Sequence, residues 1–311
     1  MKPLSIIEAS SEAGAGTRGS SLGPEAVYLE SLRRKSGLFN QVEWVKSQQF
    51  NHEINPENGQ DCTRNWRPIS KSVHASYQLI KSNLEAQKRT LILSGDHSNA
   101  LAGISALSDH QNSDQIGLVW IDAHADLHSP FTTPSGNVHG MPLAAMLNED
   151  NLSKKCNEPD AEESLFWEEI KKLGDGTLGK IKAEHIVFIA IRDLEAPEWD
   201  LIKAHNIKYF EPKDILELGI EEVIKQAKDH LKHLKQWYVS FDVDSVDPSI
   251  SMGTGTPVAL GLTREEAFAC TSSFFNDEKT GLFEISEINP LLDEQNKMAG
   301  FAHDLIGHML K

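Results

Sequence analysis

Five side chains in two short strings could hold metal ions: Asp122, His124 and Asp126 in one, Asp242 and Asp244 in the other. Each string follows an apolar run, Ile116–Ile121 or Trp237–Phe241. Alternate residues of an extended chain point the same way, and the carboxyl ends of strands in an open parallel sheet line the crevice where ligands bind. The spacings 122/124/126 and 242/244 therefore aim all five groups at one place. A third string, Gly95-Asp96-His97-Ser98, follows Thr90–Leu93 and adds the imidazole of His97. Aspartates at strand ends often serve as helix caps. Three such strings after three buried-looking strands exceed what capping explains, and burying so many carboxylates without cations is prohibitively costly.

Four carboxylates and two imidazoles suffice for two ions with bridging ligands. Oxygen-rich ligation with two imidazoles suits a hard or borderline divalent ion, manganese better than copper or thiolate-bound zinc, while cobalt, iron and zinc stay open. Paired ions lower the pKa of bound water toward ~7, so the centre can hold hydroxide and hydrolysis is the chemistry expected.

The elements that must position these groups recur along the chain. Strand-like runs fall at Leu4–Glu8, Gln41–Val45, Thr90–Leu93, Ile116–Ile121, Ile186–Ile191, Ile207–Phe210, Trp237–Phe241 and Leu282–Ile285. Helix-like stretches such as Ser70–Gln87 and Ile220–Leu234 lie between them. This alternation predicts an α/β fold, a single three-layer α/β/α domain over 1–311 with an eight-stranded, mainly parallel sheet. Glu149 to His185 is acidic and separates two strands, so 149–184 reads as a surface insertion with a helix at Ala161–Leu173. Gly14-Ala15-Gly16-Thr17-Arg18-Gly19 matches a dinucleotide fingerprint, but the second strand run ends Lys46-Ser47 where an acidic residue is required. It is read as a flexible loop over the site.

A net charge of −16 argues against nucleic acid or anionic membranes as partners. Cys62, Cys156 and Cys270 are too scattered for a disulfide framework, and no apolar run is long enough to span a membrane. MKPLSIIEASSEAG has no apolar core of a secretory signal, so the cytoplasm is the expected location.

The chain resembles the ureohydrolase (arginase) family along almost its whole length. The matching strings are SGDHS (94–98), WIDAHADLHSP (120–130), TTPSGNVHGMP (132–142), SFDVDSVDPS (240–249), TGTPVALGLTREE (254–266) and EINP (287–290). TTPSGNVHG is similar to arginases proper rather than to agmatinases or formimidoylglutamases. The resemblance implies two Mn2+ ions per chain, with Co2+ or another divalent ion as the alternative. One ion would take His97, Asp122, Asp126 and Asp242; the other Asp122, His124, Asp242 and Asp244, with Asp122 and Asp242 bridging. Asp126 would also orient the hydroxide. Glu287 matches the carboxylate facing the guanidinium of L-arginine, and His139 the proton shuttle to the departing ornithine amine. Ser135 and Asn137 match contacts to the α-carboxylate, Asp193 and Glu195 sit where the α-amino group is recognised, and Glu198 falls near an acid at the rim. The implied reaction gives L-ornithine and urea, by a homo-oligomer, trimeric or hexameric.

Three positions depart from the pattern of animal arginases. His128 stands where asparagine helps grip the α-carboxylate, and a histidine can still donate a hydrogen bond there. Glu195 replaces a shorter aspartate, and Ser94 replaces a glycine. The alternatives are another ureohydrolase, acting on agmatine or a guanidino acid, and a non-catalytic arginine sensor.

Overall fold

The computed structural model describes residues 3–55 and 61–311; positions 1–2 and 56–60 of the expected domain lie outside the described residues. Eight strands form one sheet: β1 (Leu4–Ala9), β2 (Glu43–Lys46), β3 (Arg89–Ser94), β4 (Ile116–Ile121), β5 (Ile186–Ile189), β6 (Lys208–Phe210), β7 (Gln236–Asp242) and β8 (Thr280–Ser286). Their order is β2-β1-β3-β8-β7-β4-β5-β6, and every pairing among the described residues is parallel. Parallel strands need crossovers, and these contain the helices α1 (Gly23–Arg34), α2 (Trp66–Glu85), α3 (Ala100–Gln111), α4 (Pro142–Leu147), α5 (Ala161–Ile170), α6 (Ala196–Ala204), α7 (Pro212–Leu218), α8 (Ile220–Leu231) and α9 (Arg264–Phe275), while α10 (Lys297–Met309) follows the last strand.

The period-2 alternation of the strands assigns their side chains to two cores. Ile7, Ile92, Leu118, Trp120, Phe188 and Tyr238 pack on one face with residues of α2, α3, α4 and α5. Ile6, Leu91, Val119, Val187, Val239 and Phe283 pack on the other with residues of α1, α8, α9 and α10. The sheet is thus buried on both faces, the three-layer arrangement expected of a strand–helix alternation. No helix among the described residues is long and apolar enough to cross a membrane.

Boundaries shift where turns compete. β2 begins at Glu43, after turns closed by Asn40 N–H to Gly37 O and Val42 N–H to Phe39 O. β5 stops at Ile189 because Ala190 takes a left-handed backbone, φ 74°. α2 starts earlier than expected, at Trp66, with Pro68 in its first turn where a missing N–H costs nothing. α5 ends at Ile170 rather than Leu173.

Residues 149–184 run partly into the interior. Phe166, Trp167 and Ile170 of α5 join the core beside α2. Lys180 is fully buried, and its ammonium is held by Asp109 at 2.7 Å and Asp175 at 2.5 Å. Asp109 also accepts the Tyr77 hydroxyl at 2.6 Å and the Asp175 N–H at 2.9 Å, which ties the segment to α2 and α3.

Candidate metal centre and substrate cleft

Sheet order brings the sequence strings together. β3, β8, β7 and β4 are neighbours, and their carboxyl ends deliver His97, Glu287, Asp242 and Asp122 respectively. Asp242 closes β7, and its side chain accepts the Asp244 N–H at 2.8 Å, turning the chain so that both carboxylates face the crevice. Asp122 accepts the His124 N–H at 2.7 Å in the same way. Two of the groups need a left-handed backbone, Asp126 at φ 51° and Glu287 at φ 65°. Strain of that kind persists where the surroundings over-determine it, and it clusters at functional sites.

Nδ1 of His97 lies 3.1 Å from Asp122, 3.1 Å from Asp126 and 3.2 Å from Asp242. Nδ1 of His124 lies 3.1 Å from Asp244 and 3.5 Å from Asp122. Metal–ligand bonds of ~2.1 Å set donor atoms roughly 3.0–3.5 Å apart, so these separations suit shared cations. Asp122 belongs to both groups, its Oδ2 toward His97 and its Oδ1 toward His124. His97 Nδ1 and Asp122 Oδ2 are buried without a well-formed hydrogen bond, which two ligand atoms of one ion would satisfy. The residues present fit a pair of divalent ions.

The charge balance agrees. Burial, then the neighbouring Asp244 and Asp122, hold the Asp242 carboxyl well above the usual range. Burial, then Asp122, push Asp126 up to about 6. Burial and the same Asp122 also raise Asp244. Crowded carboxylates of this kind ionise together only with cations among them.

Supporting residues not singled out in the sequence hold the ligands. His97 stacks on Trp120 with ring centres 4.0 Å apart, and its Nε2 meets Ser240 Oγ at 2.7 Å. Ser240 donates to Glu284 at 3.0 Å, as does the Tyr238 hydroxyl at 2.6 Å. Thr256 donates to Asp244 at 2.9 Å, and Arg192 ties the Asp244 carbonyl to those of Ala190 and Val258. Glu284, a charge inside the apolar β8, and Ser240, two residues before Asp242, were the signals available in the sequence.

A cleft of about 320 Å³ opens over this centre and is lined also by Ser135, Asn137, His139, Asp193, Glu195 and Glu287. His139 Nδ1 sits 2.9 Å from Glu287 Oε1. Burial works to lower the imidazole's pKa, but the Glu287 carboxylate prevails and raises it to about 9. Ser135 Oγ accepts the Asn137 N–H at 3.2 Å, which shapes the turn carrying both. Asp193 lies 3.7 Å from Nε2 of the candidate ligand His124, so it faces that cluster as well as the cleft.

Glu198 also lines the cleft, from a buried position 3% exposed. Its carboxylate accepts the N–H groups of Leu127 and Glu195, and burial lifts its pKa to about 7. The glycine-rich 14–19 segment is pinned rather than loose: Gly14 N–H donates to Asp96 at 2.7 Å, and Gly14 O receives the His139 N–H at 3.2 Å. A Cβ at Gly14 would meet Ser98 Oγ at 2.7 Å, so glycine is required there by close approach.

Comparison with known proteins agrees with this geometry. The profile of the arginase family matches residues 2–311. An arginase of Staphylococcus aureus is 33% identical, over 98% of this chain and 96% of its own. The arginase structure from Bacillus caldovelox is 31% identical with a TM-score of 0.86, covering 99% of this chain and 98% of that one. The arginase structure from Bacillus cereus is 28% identical with a TM-score of 0.83 over the same shares. With the family profile spanning nearly every residue and the strand-end ligand strings in place, the chain belongs to the arginase family and is a hydrolase.

Proposed function

We propose that this protein hydrolyses L-arginine to L-ornithine and urea with two divalent ions, manganese by the ligand set, held by His97, Asp122, His124, Asp126, Asp242 and Asp244. The observation that carries the reading is the pair of His–carboxylate groups sharing Asp122 at the floor of a cleft whose wall presents Glu287 and His139. When bound, the ions supply a Lewis-acidic centre that activates water near neutral pH.

The chain's own groups do the rest. The guanidinium is a permanent cation, and Glu287, 4% exposed, offers it a desolvated carboxylate. Asp126, within reach of His97, orients the attacking water. His139, beside Glu287 and 19% exposed at its side chain, carries a proton to the departing δ-amine and is recharged from solvent. Ser135 and Asn137 meet the α-carboxylate at the mouth, and Glu195 the α-amino group. The resemblance extends this reading to a trimer or hexamer.

Urea release from L-arginine by manganese-loaded protein tests the proposal, with agmatine in parallel and metal-stripped protein as the blank. Metal-dependent urea from arginine is the expected result; greater activity on agmatine would reject it.

A further inference from the structure

The two cleft positions at which the sequence departs from the animal arginase pattern, His128 and Glu195, are in direct contact. Nε2 of His128 meets Oε2 of Glu195, and it stands 3.6 Å from Glu198. On the other side of the ring, Nδ1 lies 3.1 Å from the Thr132 hydroxyl. That hydroxyl oxygen already accepts the Ser129 N–H at 3.0 Å, which leaves its proton free for Nδ1. A neutral imidazole has one donor and one acceptor nitrogen. Here the acceptor is used by Thr132 and the donor by Glu195, so no ring N–H remains for a substrate carboxylate.

Burial separates the two partners. His128 is 7% exposed, whereas the Glu195 side chain is 57% exposed. The imidazole therefore lies under the carboxylate and holds one of its oxygens, while the carboxylate itself faces the cleft. Glu195 is also fixed from its backbone, because its N–H donates to Glu198 at 3.1 Å. The extra methylene of glutamate supplies the reach that this contact uses.

We infer that His128 is a positioning residue for Glu195, acting on recognition of the substrate's α-amino group, and is not a ligand of the α-carboxylate. The inference rests on the arginase reading above and assigns this chain its own way of holding one end of the amino acid. A side chain locked before binding loses less freedom when the ligand arrives, so the lock favours ligands that carry the α-amino group.

The test compares three amines by calorimetric binding to the manganese-loaded enzyme: L-ornithine, 5-aminopentanoate (no α-amino group) and 1,4-diaminobutane (no carboxylate). In His128→Ala the preference for L-ornithine over 5-aminopentanoate should fall by about tenfold. His128→Gln, whose amide can still donate to Glu195, should recover most of it. Glu195→Gln, at an exposed position that tolerates change, should show the same loss, and the double variant with His128→Ala little more. An unchanged preference in His128→Ala, or a loss confined to the preference for L-ornithine over 1,4-diaminobutane, would overturn the inference, since His128 would then serve the carboxylate. Equal binding of L-ornithine and 5-aminopentanoate by the wild type would overturn it as well. Urea release from arginine is read separately, so failure of the arginase reading is distinguishable from failure of this one.

Discussion

The same carboxylate oxygen of Glu287 holds both His139, through Nδ1 at 2.9 Å, and the His97 backbone N–H, also at 2.9 Å. Glu287 thus links the base of the metal group to the imidazole at the cleft wall. On the proposed reaction an arriving guanidinium competes with His139 for that oxygen. Binding of the substrate therefore releases the ring that must later deliver a proton. His139→Asn should lower kcat by about 10²–10⁴-fold with metal content unchanged. Glu287→Gln should raise KM and lower kcat/KM by about 10²-fold, because a buried charge loses its partner. Steady-state kinetics beside metal analysis checks both, and wild-type kcat in His139→Asn would reject the shuttle.

Metal removal should destabilise the fold. Asp122, Asp126, Asp242 and Asp244 are buried together, and stripping leaves their repulsion unrelieved. One ion at about 100 times its Kd contributes ~2.7 kcal/mol, or roughly 4 °C in melting temperature for a chain of this size. Scanning calorimetry of stripped and manganese-reloaded protein measures the difference. Coincident melts would show that the carboxylates hold no cation.

The His97–Ser240–Glu284 chain sets the orientation of the proposed metal ligand His97 from behind. Ser240→Ala and Glu284→Gln should each weaken manganese binding by about 10–100-fold while the protein stays folded. Competition with a chelator of known affinity reports this. Unaltered affinity in both variants would reduce the network to packing.

The acid range offers a test away from the cleft. Glu30 is 5% exposed and accepts from Arg33 at 2.8 Å and Arg34 at 2.6 Å, which hold its carboxyl down at about 2. A carboxyl depressed in the folded state adds stability that is present above its ordinary pKa of 4.5 and is lost as pH falls toward 2. Arg33 is largely exposed, so the contribution is only about 1–2 kcal/mol. Glu30→Gln should be less stable by that amount at pH 7, and the gap should close between pH 4.5 and 2. Denaturant melts of both metal-free proteins across this range measure it; a gap independent of pH would assign the loss to packing.

The clusters that could hold metal were legible in the sequence because strand-end position and period-2 spacing are local properties. The strings at 122–126 and 242–244 carry both, and the apolar runs before them became β4 and β7. The eight strands were readable for the same reason, with errors at Gln41 and Ala190 where turns override propensity. What was not legible is what depends on distant contact or unusual backbone. His128 and Glu195 meet across 67 positions of chain, and no local pattern announces it. Nor does an aspartate or glutamate signal a left-handed φ, as Asp126 and Glu287 adopt. Nor was it legible that Glu198, placed near a rim acid by the resemblance, is a buried acceptor for two backbone N–H groups as well as part of the cleft lining. The 14–19 glycines matched a pattern of nucleotide loops, yet they serve close packing: Gly14 against Asp96, Ser98 and His139, Gly16 against Asn137, and Gly19 against Asn289 and Leu291.

If the four buried carboxylates hold cations as proposed, they also bear on how long each molecule survives. A stripped chain opens more often, and open chains are what proteases degrade. Scarcity of metal would then thin the population of the enzyme as well as silence it, and the copies that persist would be those already loaded. Supply of the ion would act on abundance through the acidic floor of the cleft, without a regulatory domain.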